Sequence, residues 1–279
     1  MLDIWCEKTE VRFGDVDRSN RLTLGSIFSF FQEAAISHAE DLGVGMERIK
    51  EQSGQGWILS RLSLFVPRRP LFGEKIEIRS WPRRWEKLFA LRDYEIRDAS
   101  GGALVRGRAC WLIIDIEKRK PLRIEPILSN LPPNEGINAF LSGPAALGQG
   151  ENLGKKMERR ALYSDIDYYG HANNARYIQW IQDVTDMEVL FAADQFRLDI
   201  NYISEILPGE TVELWVASLG VDSKAPGTLQ SMYPEDYPAR AGPGFFYEGR
   251  RPDAGQGNEG LNKITFRAEL RTGINGKIS

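Results

Sequence analysis

The chain repeats itself. Residues 13–33, FGDVDRSNRLTLGSIFSFFQE, align without a gap on residues 163–183, YSDIDYYGHANNARYIQWIQD, at an offset of 150 residues. Asp15 falls on Asp165, Asp17 on Asp167, Gln32 on Gln182 and Glu33 on Asp183, while Phe13 meets Tyr163, Ile27 meets Tyr177 and Phe28 meets Ile178. A second match follows in the same order, RPLFGEKIEI at 69–78 over EILPGETVEL at 205–214, at an offset of 136. Two ungapped matches in one order mark a tandem duplication, so both halves must share one fold.

Each half reads as a short strand, a turn, a helix and then strands. In the first half Ile27, Phe28, Phe31, Ala34, Ala35, His38 and Leu42 recur on one helical face, and Gly43 is a helix stop. In the second half Tyr177, Ile178, Ile181, Val184 and Val189 predict the same face. Alternating runs follow in the first half, WILSRLSLFV, EKIEIRSW, LFALRDYEIRD and ALVRGRACWLIID, with the turn residues DASGGA between the last two. A helix followed by an antiparallel meander predicts an α+β arrangement, a curved sheet wrapped round a central helix, present twice. Residues 125–156 are rich in Pro, Gly and Asn and read as a linker, which divides the chain into 1–124, 125–156 and 157–279. Residues 218–260 accumulate Pro and Gly and read as an insertion, with the sheet resuming at FFYEGR and NKITFRAELRT.

Several function classes drop out. Cys6 and Cys110 stand far apart, which encodes neither a disulfide framework nor a thiolate zinc site and favours a reducing compartment. The start MLDIWCEKTEVRF lacks signal-peptide features and the longest apolar runs, such as WLII, are too short to span a membrane, so a cytoplasmic location is expected. A net charge of −3 argues against a nucleic-acid partner, although basic pairs recur at Arg68-Arg69, Arg83-Arg84, Lys118-Arg119-Lys120, Arg159-Arg160 and Arg250-Arg251. These read either as solvated charges or as a surface for an acidic partner. There is no G-x-S-x-G elbow and no phosphate-binding loop, and GQGENLG lies in the linker with no strand before it.

The copies are unequal at a few positions. Where the second has His171, Asn173, Asn174 and Glu205, the first has Arg21, Thr23, Leu24 and Arg69. One reading makes the aspartates turn residues and His171 and Asn173 helix caps. It fits Asp15 and Asp165, which occur in both copies. The other reading is chemical: a helix beginning near Asn173 offers backbone N–H groups to a carbonyl, a carboxylate activates water, and His171 moves a proton. Such a set hydrolyses an activated acyl group without metal or cofactor. A metal held by Asp165, Asp167 and His171 is the lesser alternative, and His38, on an apolar helix face, reads as a buried, hydrogen-bonded residue.

These residues resemble the acyl-acyl-carrier-protein thioesterases, tandem double-hotdog enzymes of plants and bacteria. The resemblance rests on FGDVDRSNRLTLGSIFSFFQEAAISHAEDLG, WILSRLSLFVPRRPLFGEKIEIRSWPRRWEKLFALRDYEIRD, RACWLIIDIEKRKPLRI and SDIDYYGHANNARYIQWI. The family pattern D-x-N-x-H-x-N-N maps onto Asp167, Tyr169, His171, Asn173 and Asn174, with Tyr169 in place of the middle Asn, and the family's later Glu maps onto Glu205. The resemblance implies Asp167, His171, Glu205 and Tyr169 as the catalytic set, with Asn173 and Asn174 at the helix N-terminus. It implies no cofactor, an acyl carrier protein with its acyl-phosphopantetheine as partner, and release of free fatty acid. The first copy is implied to shape the acyl tunnel, with Phe28, Phe31, Trp57, Leu59 and Leu62 as candidate lining residues. An acyl-CoA thioesterase and a non-catalytic acyl-binding protein are the alternatives, and a homodimer stays open.

Overall fold

The computed structural model describes residues 3–124, 127, 131–132, 134–139, 144–219, 241–252 and 263–273. The chain forms two compact units, Met1–Ala145 and Ala146–Ser279. Unit 1 contains β1 (Trp5–Glu10), α1 (Leu24–Asp41), α2 (Met46–Ser53), β2 (Gln55–Val66), β3 (Lys75–Glu86), β4 (Phe89–Asp98), β5 (Ala103–Asp115) and the two-residue β6 (Lys120–Pro121). Unit 2 contains β7 (Gly154–Arg160), α3 (Asn174–Val184), α4 (Met187–Ala192), β8 (Gln195–Tyr202), β9 (Thr211–Leu219), β10 (Ala241–Arg251) and β11 (Lys263–Gly273).

Each unit pairs its strands antiparallel in one order. Unit 1 runs β1-β3-β4-β5-β2 and unit 2 runs β7-β9-β10-β11-β8. Both therefore read first, third, fourth, fifth, second strand, which is the tandem hotdog architecture. The duplication extends to single hydrogen bonds. Thr23 N–H donates to Asp15 O at 3.0 Å and Asn173 N–H to Asp165 O at 2.9 Å; Leu22 N–H donates to Pro70 O and Ala172 N–H to Ile206 O, both at 2.8 Å. These bonds carry both sequence offsets and fix Arg69 as the counterpart of Glu205. Residues with positive φ match as well, Asn20 (63°) with Gly170 (85°) and Gly73 (78°) with Gly209 (79°), because the same tight turns recur.

The helix lies on one sheet face, its apolar stripe inward. In unit 1 the buried stripe of α1 is Leu24, Ile27, Phe28, Phe31, Ala34, Ala35 and His38, and Phe31 stacks on Tyr94 at 4.6 Å between ring centroids. Gly107 makes room for that ring, since a Cβ there would stand 2.5 Å from Phe31 Cε2. The helix stops as read, with Gly43 at φ 70°. Unit 2 differs from its expectation. Thr185 ends α3, with its hydroxyl on Ile181 O (2.6 Å), and Asp186 caps a separate α4, so Val189 lies on a second helix. The apolar periodicity of unit 1 gives no sign of the short α2, which Gly54 at φ 65° terminates.

The segment read as a linker is only partly one. Trp81 Nε1 donates to Ile137 O (3.1 Å) and Ala139 N–H to Asp93 Oδ2 (2.9 Å), which lays residues 134–139 against unit 1. Leu147 and Gly150 N–H donate to Asn201 Oδ1 (2.7 Å) and Glu248 Oε1 (3.2 Å) in unit 2, and β7 begins at Gly154. Of the expected insertion at 218–260, Ser218 and Leu219 complete β9 and residues 241–251 form β10, paired on both sides. Residues 220–240 and 253–262 lie outside the described residues. No helix among the described residues is long and apolar enough to cross a membrane.

Asp15 and Asp165 each accept a backbone N–H across the turn, from Arg12 and Leu162, both at 2.9 Å. Asp15→Ala should therefore cost about 1 kcal/mol, the usual worth of such a cap. Urea unfolding of the purified chain measures it; an unchanged midpoint would remove this role.

Candidate active site

The candidate residues of unit 2 sit on a turn between the 3-10 segment Tyr163–Asp165 and α3. Gly170 N–H donates to Asp167 O and Asp167 N–H to His171 O, both at 3.0 Å, which closes the turn. The Ala172 N–H to Ile206 O bond then draws the segment carrying Glu205 alongside.

Asp167 is held by its own turn. Its Oδ1 accepts Tyr169 N–H at 2.9 Å, as Asp17 Oδ1 accepts Ser19 N–H at 2.8 Å in unit 1. Its Oδ2 stands 3.7 Å from His171 Nδ1, an ion-pair separation slightly beyond a hydrogen bond, with side chains 15% and 33% exposed. The Tyr169 ring lies 6.4 Å from the imidazole with planes 28° apart, so it forms a wall of the site. Asn173 is the N-cap of α3: its Oδ1 accepts Ala175 N–H at 2.8 Å and its own N–H goes to Asp165 O. The backbone N–H of Asn174 makes no hydrogen bond among the described residues, and it points from the positive end of α3. The Asn174 carbonyl accepts the Tyr202 hydroxyl at 3.1 Å.

Two residues around Glu205 carry no motif. Arg251 Nη2 donates to the Glu205 carbonyl at 2.8 Å and pairs with Glu210 at 2.8 Å. Glu210 in turn accepts Leu207 N–H at 2.8 Å, so one arginine and one glutamate shape the loop. Tyr177, on α3, takes the Ile206 N–H on its phenol oxygen; burial first, then the nearby Glu205 charge, push that phenol well above its ordinary range. The repeat could have flagged Tyr177, since it adds a hydroxyl where the first copy has Ile27. Arg251 lies beyond the aligned segments and gave no such signal.

Unit 1 shows the same frame without the chemistry. Arg69, at the Glu205 position, donates Nε to Leu22 O (2.9 Å) and Nη2 to Arg21 O (3.0 Å), and pairs with Asp17. Burial opposes ionisation of Asp17, yet hydrogen bonds from Ser19 and Arg69 outweigh it and hold the carboxyl below its ordinary value. An ion pair thus occupies in unit 1 the two positions that unit 2 gives to Asp167, beside His171, and to Glu205.

The proposed lining residues all lie in unit 1. Phe28, Phe31, Leu59 and Leu62 are buried. Leu62 faces Ala109 and Leu59 faces Trp111 across β2 and β5. Trp57 belongs to an adjoining cluster with Ala90, Ile113 and Ile124, and its indole N–H donates to Val44 O at 2.9 Å. In unit 2 an open groove of about 750 Å³ runs past Asp167 between Leu162, Tyr163, Ile166 and Pro208, with Arg160 on its wall. Most of the basic pairs contribute to ion pairs, Arg159 on Asp165 and Asp183 and Arg250 on Glu248 partly buried, Arg68 on Glu74, Arg84 on Glu135 and Lys118 on Asp115 at the surface. Among the described residues no cluster of three or more His, Cys, Asp or Glu is arranged to hold a metal ion.

A helix on an antiparallel sheet, present twice in one strand order, with an acid, imidazole and amide turn heading the second helix, defines a tandem hotdog protein. The family models for the acyl-ACP thioesterase N-terminal domain and C-terminal domain match residues 3–130 and 151–234. This chain belongs to the acyl-ACP thioesterase family. A chloroplastic acyl-(acyl-carrier-protein) hydrolase of Cuphea viscosissima is 24% identical over 219 residues, covering 72% of this chain and 52% of that protein. A chloroplastic palmitoyl-acyl carrier protein thioesterase of Cuphea hookeriana is 22% identical, with the same coverage. The chain spans about half the length of these curated relatives. Among solved structures, an acyl-ACP thioesterase from Bacteroides thetaiotaomicron superposes with a TM-score of 0.76 at 22% identity, covering 97% of this chain and 98% of that one. A 12:0-ACP thioesterase from Umbellularia californica does so at 0.73 and 17% identity, covering 96% and 93%. At these identities the structures speak for the fold.

Arg69→Met should destabilise the protein by about 3 kcal/mol, because it strands the Asp17 carboxylate. Asp17 has a lowered folded pKa, so its contribution is complete above its ordinary value of 3.8 and is lost as pH falls through the lower folded value. The variant should lose part of this acid-sensitive stability. Urea midpoints from pH 2 to 7 for both proteins measure it, and parallel curves would contradict the pairing.

Proposed function

We propose that this chain hydrolyses the thioester of a fatty acyl group carried on acyl carrier protein and releases the free fatty acid. What carries the reading is the contrast between two frames that agree bond for bond. Where unit 1 has Arg21 and the Arg69–Asp17 pair, unit 2 has His171, Glu205 and Asp167 around a helix N-terminus. Membership of the family supports the substrate class, and the names of the relatives support the carrier over CoA.

The chemistry follows from the placement. The thioester oxygen takes the Asn174 N–H, where negative charge is stabilised at the head of α3. Asp167, pinned by Tyr169 N–H, orients the imidazole of His171. Glu205 takes a proton from water as the water oxygen bonds to the carbonyl carbon. The tetrahedral adduct then breaks its C–S bond, and the His171 imidazolium gives its proton to the leaving thiolate. Proton transfer from Glu205 to His171 resets the site. Tyr169 walls the reacting carbon and stands where the family carries Asn. We place the activity in the cytoplasm; the thiol of Cys6, exposed and unpaired, fits a reducing compartment.

His171→Ala and Glu205→Gln should each lower turnover by at least about 10²-fold, the scale of a lost acid–base group, with little change in the urea midpoint. Wild-type turnover in both variants would return the turn to a purely structural role. Steady-state hydrolysis of matched acyl-ACP and acyl-CoA tests the carrier; a clear preference for CoA would reassign the substrate. No turnover on either, with tight retention of acyl chains, would make the protein an acyl-binding module.

A further inference from the structure

We propose that unit 1 contains a buried polar site, centred on Arg92, that binds an oxygen atom carried on the acyl chain, so that hydroxy-, oxo- or carboxy-substituted chains are selected over plain ones. The inference rests on the acyl-chain reading of unit 1 and deepens it to a substrate class.

Arg92 stands where an apolar residue is expected. On β4 it faces Ala109 of β5, which faces Leu62 of β2. The neighbouring rows are Tyr94, Gly107 and Leu64 on one side, under Phe31, and Ala90, Trp111 and Leu59 on the other. Arg92 therefore projects into the layer that holds Phe31, Leu59 and Leu62, with 9% of its surface exposed. Its Nη1 lies 3.2 Å from His38 Nδ1 and 2.9 Å from Ser80 Oγ, both residues fully buried.

The other buried arginines all have a carboxylate. Arg69 pairs with Asp17, Arg108 with Asp93 at 2.5 Å, Arg197 with Asp199 at 2.8 Å and Arg271 with Glu269 at 2.8 Å. Arg92 has none among the described residues. A guanidinium buried without an anion is disfavoured, and a second donor close to it lacks an acceptor. The buried indole N–H of Trp5 has no hydrogen-bond partner among the described residues, while Trp111 is set against the Tyr94 hydroxyl. Trp5 lies 6.2 Å from His38 between ring centroids, and Trp111 occupies the row next to Arg92. The Arg92 charge and the Trp5 N–H thus stand without an anion or an acceptor in one part of an apolar layer. An acyl chain with an oxygen at this depth supplies the missing acceptor, and a plain methylene chain leaves the donors unpaired. Sites built to hydrogen-bond an oxygen reject the analogue lacking it far more strongly than apolar pockets sort by size.

The test is direct binding to the full chain, read by tryptophan fluorescence and calorimetry. The probes are methyl esters of C8 to C16 acids, plain, ω-hydroxylated or ω-carboxylated, with hydroxyls also placed mid-chain; the ester removes a head carboxylate that would itself seek Arg92. At least one oxygenated ester should bind 10-fold or more tighter than the plain ester of its length, and the hydroxyl and carboxyl arms tell a neutral acceptor from an anionic one. Arg92→Met should erase the preference, keep plain-chain binding and leave the melting temperature unchanged or higher, because it removes an unpaired buried charge. Arg92→Lys, which retains the charge, should keep part of the preference. Equal binding of plain and oxygenated esters by the wild type, a preference surviving in Arg92→Met, or no binding of any ester would overturn the site. Hydrolysis of plain acyl-ACP with no such preference would leave the proposed function standing, and preference without hydrolysis would do the reverse.

Discussion

The backbone carbonyl of Asp165 accepts the N–H of Asn173 while its carboxylate accepts the N–H of Leu162, so one residue ties the exit of β7 to the start of α3. Asp15 does the same for β1 and α1. Within the turn the shape is set by Asp167 or Asp17 and by the positive φ at Gly170 or Asn20, and neither requirement touches the side chains at 171 and 21. That independence lets two copies keep one frame and carry unlike groups on it.

The two copies use this freedom in opposite ways. At the positions of Asp17 and Arg69, unit 1 holds a buried ion pair whose arginine also satisfies two backbone carbonyls. Every charge there is met, which gives stability and leaves nothing for a substrate. Unit 2 places Asp167, His171 and Glu205 at the corresponding points, with Asp167 and His171 partly open to solvent. The loop around Glu205 takes its shape from Arg251 of β10, which donates to the Glu205 carbonyl and pairs with Glu210.

Much of this was legible in the chain itself. The offsets of 150 and 136 correspond to hydrogen bonds, and the contrast of His171 with Arg21 and Glu205 with Arg69 came from aligning the copies. What periodicity missed has a common cause: it reports which face of an element is apolar, and tertiary partners decide the rest. Val189 fitted the helical spacing, but Thr185 and Asp186 break the helix by their own side-chain bonds. The Pro-, Gly- and Asn-rich composition of 125–156 suggests a linker, yet Ile137 O and Ala139 N–H are taken up by Trp81 and Asp93 of unit 1. On β4 the alternation of LFALRDYEIRD suggests one wet face, yet residues 90–96 are all buried.

That last departure explains why a charge sits inside unit 1 at all. One face of β4 is covered by residues 134–139, where Asp93 meets Arg108 and the Ala139 N–H, so its polar groups are complete. The opposite face lies under α1, where Arg92 meets His38 and Ser80 beside the Tyr94 phenol and no carboxylate among the described residues. Charge on the covered face is neutralised within the fold, and none of it is left to offset Arg92. A single strand thus carries one fully satisfied polar layer and one deficient in acceptors. The ion pair at Asp17 and Arg69 is complete in itself, so the acceptor deficit at Arg92 is a separate feature of unit 1, and it is the one on which the proposed selection of oxygenated chains rests.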